Sequence, residues 1–148
     1  MFSTSCHYGL QGILYIAMHS TDGKNVDLKQ IADEQNIPKH FLSKILQQLV
    51  KNNLLVSMKG PTGGFRLNRD ANDITLIEVI DAIDGLGVFT KCGIGFKQCN
   101  DANPCPIHDE YKKVRSQVEK LFSTKTLHEL TEDVKRGESI ISLGKKEE

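Results

Sequence analysis

The sequence predicts a mainly α-helical fold with a small β-hairpin wing: a winged helix-turn-helix domain followed by a long C-terminal dimerisation helix. Three observations predict it. Two short helical patterns are separated by a tight break at Asn36, Ile37 and Pro38. A strand, a glycine-rich loop and a second strand follow directly. Further on, Ile107, Tyr111, Val114, Val118 and Leu121 recur at alternating steps of four and three.

The bulk properties suit one soluble domain. A chain of 148 residues with 39% hydrophobic and 26% charged residues is long enough to bury a core and too apolar to be globally disordered. No basic flank precedes a long apolar stretch, and no run approaches a membrane span, so a cytoplasmic protein without a membrane partner is expected. In that compartment the four cysteines read as ligands or reactive thiols rather than disulfides.

Net charge is zero but strongly segregated. From Asn36 to Arg69 there are six basic residues (Lys39, Lys44, Lys51, Lys59, Arg66, Arg69) and no Asp or Glu. From Asp70 onward 15 acids face 11 bases. A chain arranged this way presents a cationic face to DNA while remaining neutral overall.

In order along the chain, residues 8–19 read as an apolar helix through Leu10, Ile13, Leu14 and Ile16. Asp27 and Gln30 have capping-box spacing, with Val26 and Ile31 placed as a hydrophobic staple for a second, two-turn helix. Pro38 suits the first turn of a third helix, whose expected buried stripe is Phe41, Leu42, Ile45, Leu46, Leu49 and Val50. Leu54–Lys59 and Phe65–Leu67 form the hairpin around Gly60, Gly63 and Gly64. Thr75 with Glu78, and Thr126 with Glu129, each open a further helix. Between Thr90 and Pro106 there is no periodicity, two glycines and two prolines, hence a loop.

Two constellations carry chemistry. The outer face of the third helix would enter the major groove of double-stranded DNA, with Lys39, His40, Ser43, Lys44 and Gln47 as base or phosphate contacts. Lys59, Thr62 and Arg66 would serve the wing. The second is Cys92, Cys99 and Cys105, closely followed by His108. Three soft thiolates in a pliable loop can wrap one metal centre, with His108 as a possible fourth ligand. The gaps are longer than the Cys-x-x-Cys pairs of zinc knuckles, which favours a cluster over a single zinc ion. Unliganded cysteines, or a thiol–disulfide switch, remain the alternatives.

The chain also resembles the Rrf2 family of winged-helix regulators over nearly its whole length. The resemblance lies in Ser5-Cys6-His7-Tyr8-Gly9-Leu10, Leu28-Lys29-Gln30-Ile31-Ala32, Phe41-Leu42-Ser43-Lys44-Ile45-Leu46, the wing Lys59–Leu67, Glu78–Ile83 and the cysteine triad. It implies a homodimer built on the long C-terminal helix and an iron–sulfur cluster whose state sets affinity for an operator. The two-iron type (2Fe-2S) is favoured, and the four-iron type (4Fe-4S) is the alternative. Cys92, Cys99 and Cys105 match the family's thiolate ligands. His108 matches a histidine that completes the site in some members. His7 from the partner subunit is the rival fourth ligand, where other members use an acidic residue. Two departures limit the likeness: the first cysteine gap holds six residues where the related regulator type has five, and Ser43 stands where that type is acidic.

The expected organisation is therefore a winged helix-turn-helix region over 1–87 and a cluster-binding loop over 88–106. A dimerisation helix with a terminal short helix follows over 107–137, and a loose tail over 138–148. Function is expected to be transcription regulation, most simply repression, and not catalysis. A dithiol enzyme lacks its Cys-x-x-Cys on a βαβ pattern, and no Ser/His/Asp set is present. A zinc-stabilised interaction module is the other rival. Cys6 is expected to be a half-buried structural thiol.

Overall fold

The computed structural model describes residues 1–141, which form six α-helices and one two-stranded antiparallel sheet. Most of the tail expected over 138–148 lies outside the described residues. The fold is the mainly helical one predicted, with a hairpin following the second helix of the helix-turn-helix pair.

Helix α1 spans Thr4–His19, starting four residues before the apolar pattern begins. Ser3 explains the difference: its hydroxyl accepts from the Cys6 N–H at 3.0 Å, and its own N–H donates to Asp84 at 2.9 Å. Helix α2, Leu28–Gln35, ends at Asn36 in the left-handed conformation, φ 54°, which turns the chain into α3, Lys39–Lys51. The capping box expected from Asp27 and Gln30 does not form, since Asp27 makes no side-chain cap bond. Gln30 Nε2 donates to the hydroxyl of Tyr15 at 2.8 Å instead. That phenol belongs to a side chain only 5% exposed, so its need for a partner outweighs a helix cap.

In α3 the buried positions are Leu42, Ile45, Leu46 and Leu49. Phe41, expected in the same stripe, is 53% exposed. At 3.6 residues per turn it stands about 90° round the helix from the middle of that arc. Its aromatic character misled the pattern, and its ring lies edge-on to His40.

The wing pairs β1, Leu55–Met58, with β2, Gly64–Leu67. Val26 adds a third backbone segment, exchanging 2.8 Å hydrogen bonds with Phe65 in both directions. Gly64 makes this approach possible: its φ is 139°, and a Cβ there would lie 2.3 Å from the Val26 carbonyl oxygen. Gly64→Ala is therefore expected to destabilise the fold by at least about 2 kcal/mol. A urea melt with an unshifted midpoint would contradict this.

The main core joins Ile13, Ile16, Ile31, Leu42, Leu46, Leu49, Leu55, Ile74 and Val79. Helix α4, Leu76–Ile83, opens with the predicted capping box, the Thr75 N–H donating to Glu78 at 2.9 Å. Helix α5 spans His108–Thr124 and α6 Leu127–Lys135. Thr126 caps α6 and pairs with Thr75 in an antiparallel bridge, and Leu127 is fully buried in the main core. Helix α6 thus closes back onto the main core. A smaller core of Cys6, Ile80 and Phe89, flanked by Phe2, Val118 and Phe122, fixes α5 to α1 and α4. Cys6 is fully buried rather than half-buried.

The heptad pattern on α5 divides in two. Val118 packs toward the small core and Tyr111 toward the loop, while Ile107, Val114 and Leu121 stand exposed at 38%, 50% and 50%. Those three, seven residues apart, form one apolar line on the outside of the helix. No helix among the described residues is long and apolar enough to cross a membrane.

Candidate metal centre and nucleic-acid interface

The loop between Phe89 and α5 is irregular, as its composition predicts, but it is well anchored. Asn100 makes an Asx turn, its Oδ1 accepting from the N–H groups of Ala102 at 2.9 Å and Asn103 at 2.8 Å. Gly93 lies flat against Tyr111, and a Cβ there would come 2.9 Å from the ring. The guanidinium of Arg115 donates to the Lys91 carbonyl and sits 5.4 Å over the Tyr111 ring. These contacts tie the start of the loop to the middle of α5.

The sulfurs of Cys92, Cys99 and Cys105 all lie within 4.8 Å of one another. Cys92 and Cys105 are 3.6 Å apart, and the Cys105 N–H donates to Cys99 Sγ at 3.4 Å. His108, the first residue of α5, is 8% exposed and turns Nδ1 to Cys99 Sγ at 3.2 Å. Its Nε2 faces the Asp101 carboxylate at 2.7 Å, and Lys112 Nζ holds both Asp101 oxygens at 3.0 Å. The hydrogen bond from His108, and then the ammonium of Lys112, keep Asp101 below the usual carboxylate range. His7 is exposed on α1, edge-on to Phe2 and outside the sulfur group of its own chain.

The thiols differ in acidity. Lost solvation pushes Cys92 up, but the N–H groups of Ile94, Phe96 and Gly95 and the Cys105 thiol outweigh it and bring it down to about 6. For Cys99 the Cys105 N–H pulls down, yet lost solvation and the neighbouring sulfurs push it up on balance. Two soft anions side by side resist simultaneous ionisation unless a cation joins them. Burial, then Asp84, pushes Cys6 up to about 12, which keeps it a neutral thiol.

The donor set fits a thiophilic metal centre. A tetrahedral iron or zinc with sulfur at about 2.3 Å and nitrogen at about 2.0 Å spaces its ligands roughly 3.5–3.8 Å apart. The Cys92–Cys105 pair, at 3.6 Å, falls within that range, and the Cys99–His108 pair, at 3.2 Å, lies below it. Lys91 and Lys97 border the hollow onto which Cys92 and Cys99 open. Arg115 is 6% exposed, its Nε has no hydrogen-bond partner, and no ion pair to it occurs among the described residues. A buried guanidinium without a carboxylate suits a neighbouring anionic centre.

The candidate DNA contacts lie on α3 and on the wing. Lys39, His40, Lys44 and Gln47 are exposed on α3, and Ser43 is half-buried among them. Lys59 and Thr62 are exposed on the wing. Arg66 is partly engaged: it donates to Asn25 Oδ1 at 3.3 Å, while Asn25 Nδ2 donates to the Thr62 carbonyl at 3.1 Å. Asn25 therefore braces the wing, a role its sequence position did not signal. Arg69, counted in the acid-free stretch, is bound by Glu78 at 2.7 Å from α4. Asp101, Lys112 and Arg115 were likewise missed; the run Asn100-Asp101-Ala102-Asn103 signalled only a turn.

Comparison with known proteins places this arrangement. The family model for Rrf2, described as an iron-dependent transcriptional regulator, matches residues 2–133. The HTH-type transcriptional regulator IscR of Photobacterium profundum is 36% identical over 126 residues, covering 85% of this chain and 72% of that protein. IscR of Yersinia pestis is 33% identical over 123 residues, 83% of this chain and 74% of that protein. Among solved structures, T. potens IscR superposes with a TM-score of 0.74 at 25% identity, covering 95% of this chain and 92% of that one. CymR, the global cysteine regulator of B. subtilis, shares the fold at a TM-score of 0.74 and 23% identity, over 89% and 96% of the two chains.

Proposed function

The chain belongs to the Rrf2 family of transcriptional regulators, and on that premise we propose that it is a homodimeric, cytoplasmic DNA-binding regulator controlled by an iron–sulfur cluster at Cys92, Cys99, Cys105 and His108. The relatives are regulators rather than enzymes. The observation that carries the cluster reading is the group of three sulfurs within 4.8 Å with His108 Nδ1 against one of them. Three thiolates and one imidazole supply four donors, two for each iron of a 2Fe-2S centre, with a 4Fe-4S centre as the alternative. The cluster would supply a group that changes charge on reduction and is lost to oxidants or nitric oxide.

The chain's own residues convert that change into a change of shape. Lys91, Gly93 and the sulfurs share one loop, and Arg115 and Tyr111 hold that loop to α5. A change in loop order would act on α5 and, through the small core, on α1 and α4, which pack against α3 of the helix-turn-helix. In a dimer the separation of two α3 helices must match half-sites one helical turn apart, so a small rotation alters affinity.

Lys39, His40, Ser43, Lys44 and Gln47 would read or flank bases, with Lys59, Thr62 and Arg66 on the adjoining backbone. Lys44→Ala is expected to lower operator affinity and reduce the slope of log K against log salt by about 1. An unchanged slope would remove Lys44 from the phosphate contacts.

The deciding experiment is anaerobic purification with iron, sulfide and zinc measured per chain, visible absorption recorded, and DNA binding followed on the same sample before and after cluster removal. Iron, sulfide and charge-transfer bands with an affinity change support the proposal. One zinc per chain in colourless protein favours the zinc-stabilised reading, to which a Cys3His donor set is also suited. Metal-free protein that responds to peroxide favours a thiol switch.

A further inference from the structure

Resting on the cluster reading above, we infer that Asp101 is a positioning residue of the metal centre: it accepts the Nε2–H of His108 and so presents Nδ1 as the atom offered to iron beside Cys99. A neutral imidazole has one donor and one acceptor nitrogen. The 2.7 Å contact from Nε2 to a carboxylate, which can only accept when ionised, assigns the donor to Nε2. The lone pair is left on Nδ1, the nitrogen 3.2 Å from Cys99 Sγ.

The geometry around this contact is over-determined. His108 is 8% exposed, and its ring opens the first turn of α5. Lys112, one turn further along α5, grips both Asp101 oxygens at 3.0 Å and keeps the carboxylate aimed. The Asx turn of Asn100 fixes the backbone immediately before Asp101. A carboxylate behind a metal-bound histidine fixes its tautomer and raises its basicity, and losing such a partner weakens the metal site by about 10–100-fold. The Asp101 side chain is 73% exposed, so its replacement leaves both cores intact.

The test uses the anaerobically reconstituted dimer with histidine labelled with 15N at Nδ1 alone or at Nε2 alone. Electron–nuclear double resonance on the reduced cluster is expected to give strong coupling from the Nδ1 label and weak coupling from Nε2. Asp101→Ala is expected to lose its cluster to a chelator 10–100-fold faster than wild type. Asp101→Asn, which keeps an acceptor without charge, should fall between, and Asp101→Glu should recover part of the loss. Loss of an ordinary loop contact would not alter the nitrogen coupling, whereas this role requires Asp101→Ala to change it. Strong coupling from Nε2, or from no histidine nitrogen, overturns the inference while leaving the cluster in place, as does wild-type chelation kinetics in Asp101→Ala. Wild-type protein that takes up no cluster overturns the proposed function and this inference with it.

Discussion

Cys105→Ala is expected to emerge from oxygen-free purification colourless, with iron content at least about tenfold below wild type, and still folded. The expectation follows from where the side chain sits. Cys105 is half-buried in the loop with its sulfur 3.6 Å from Cys92, so the substitution removes one ligand and the sulfur neighbour of a second, while the backbone N–H to Cys99 is kept. None of these atoms belongs to either hydrophobic core, so the stability cost should stay below about 1 kcal/mol. Operator affinity should then be fixed at one value, whichever of the two states that resembles, and cease to respond to oxygen or nitric oxide. Cys6→Ala supplies the contrast: that thiol is fully buried and held neutral, so its loss should lower stability and leave iron content unchanged. Iron and sulfide analysis with a thermal melt on both variants checks this. A red, iron-loaded Cys105→Ala protein would remove Cys105 from the ligand set.

Much of this arrangement is legible in the sequence because it depends on local patterns. The break at Asn36, the glycines of the wing and the Thr75–Glu78 box each specify their structure within a few residues. The cysteine triad is legible because three soft donors fall in one short periodicity-free loop, and the fold brings their sulfurs within 4.8 Å. What escaped reading is long-range. Gln30 looked like a cap but serves Tyr15, fifteen residues earlier. Phe41 looked like core because apolar runs do not say where the buried arc is centred. Arg69 counted toward the cationic stretch, yet α4 brings Glu78 to it. Arg115 and Lys112 carry no local signal, and only the folded loop brings one to the Lys91 carbonyl and the other to Asp101.

Replacing both Val114 and Leu121 with glutamate is expected to convert the protein to a monomer and reduce operator binding by about 100-fold or more. With Ile107 they form the exposed heptad-spaced line on α5, each being 50% exposed in the single chain. In the proposed homodimer the same line would meet itself across a two-fold axis, so two substitutions would place four carboxylates in one apolar contact. Splitting the dimer removes the gain from engaging two half-sites at once, worth about 10²–10⁴ in apparent affinity. Sedimentation and titration of full and half operators should show a monomer that binds both with similar, weak affinity. A variant that stays dimeric would place the interface on another face.

The same variant separates the two candidates for the fourth ligand. Cys92, Cys99, Cys105 and His108 lie together within one chain, so a site built from them should still load iron in the monomer. His7 sits on α1, outside the sulfur group of its own chain, and could contribute only across a dimer. A monomer that keeps its cluster, and loses the nitrogen coupling when His108 is replaced by alanine, assigns the ligand to His108. A monomer that folds but loads no iron, beside a dimer that does, assigns it to the partner.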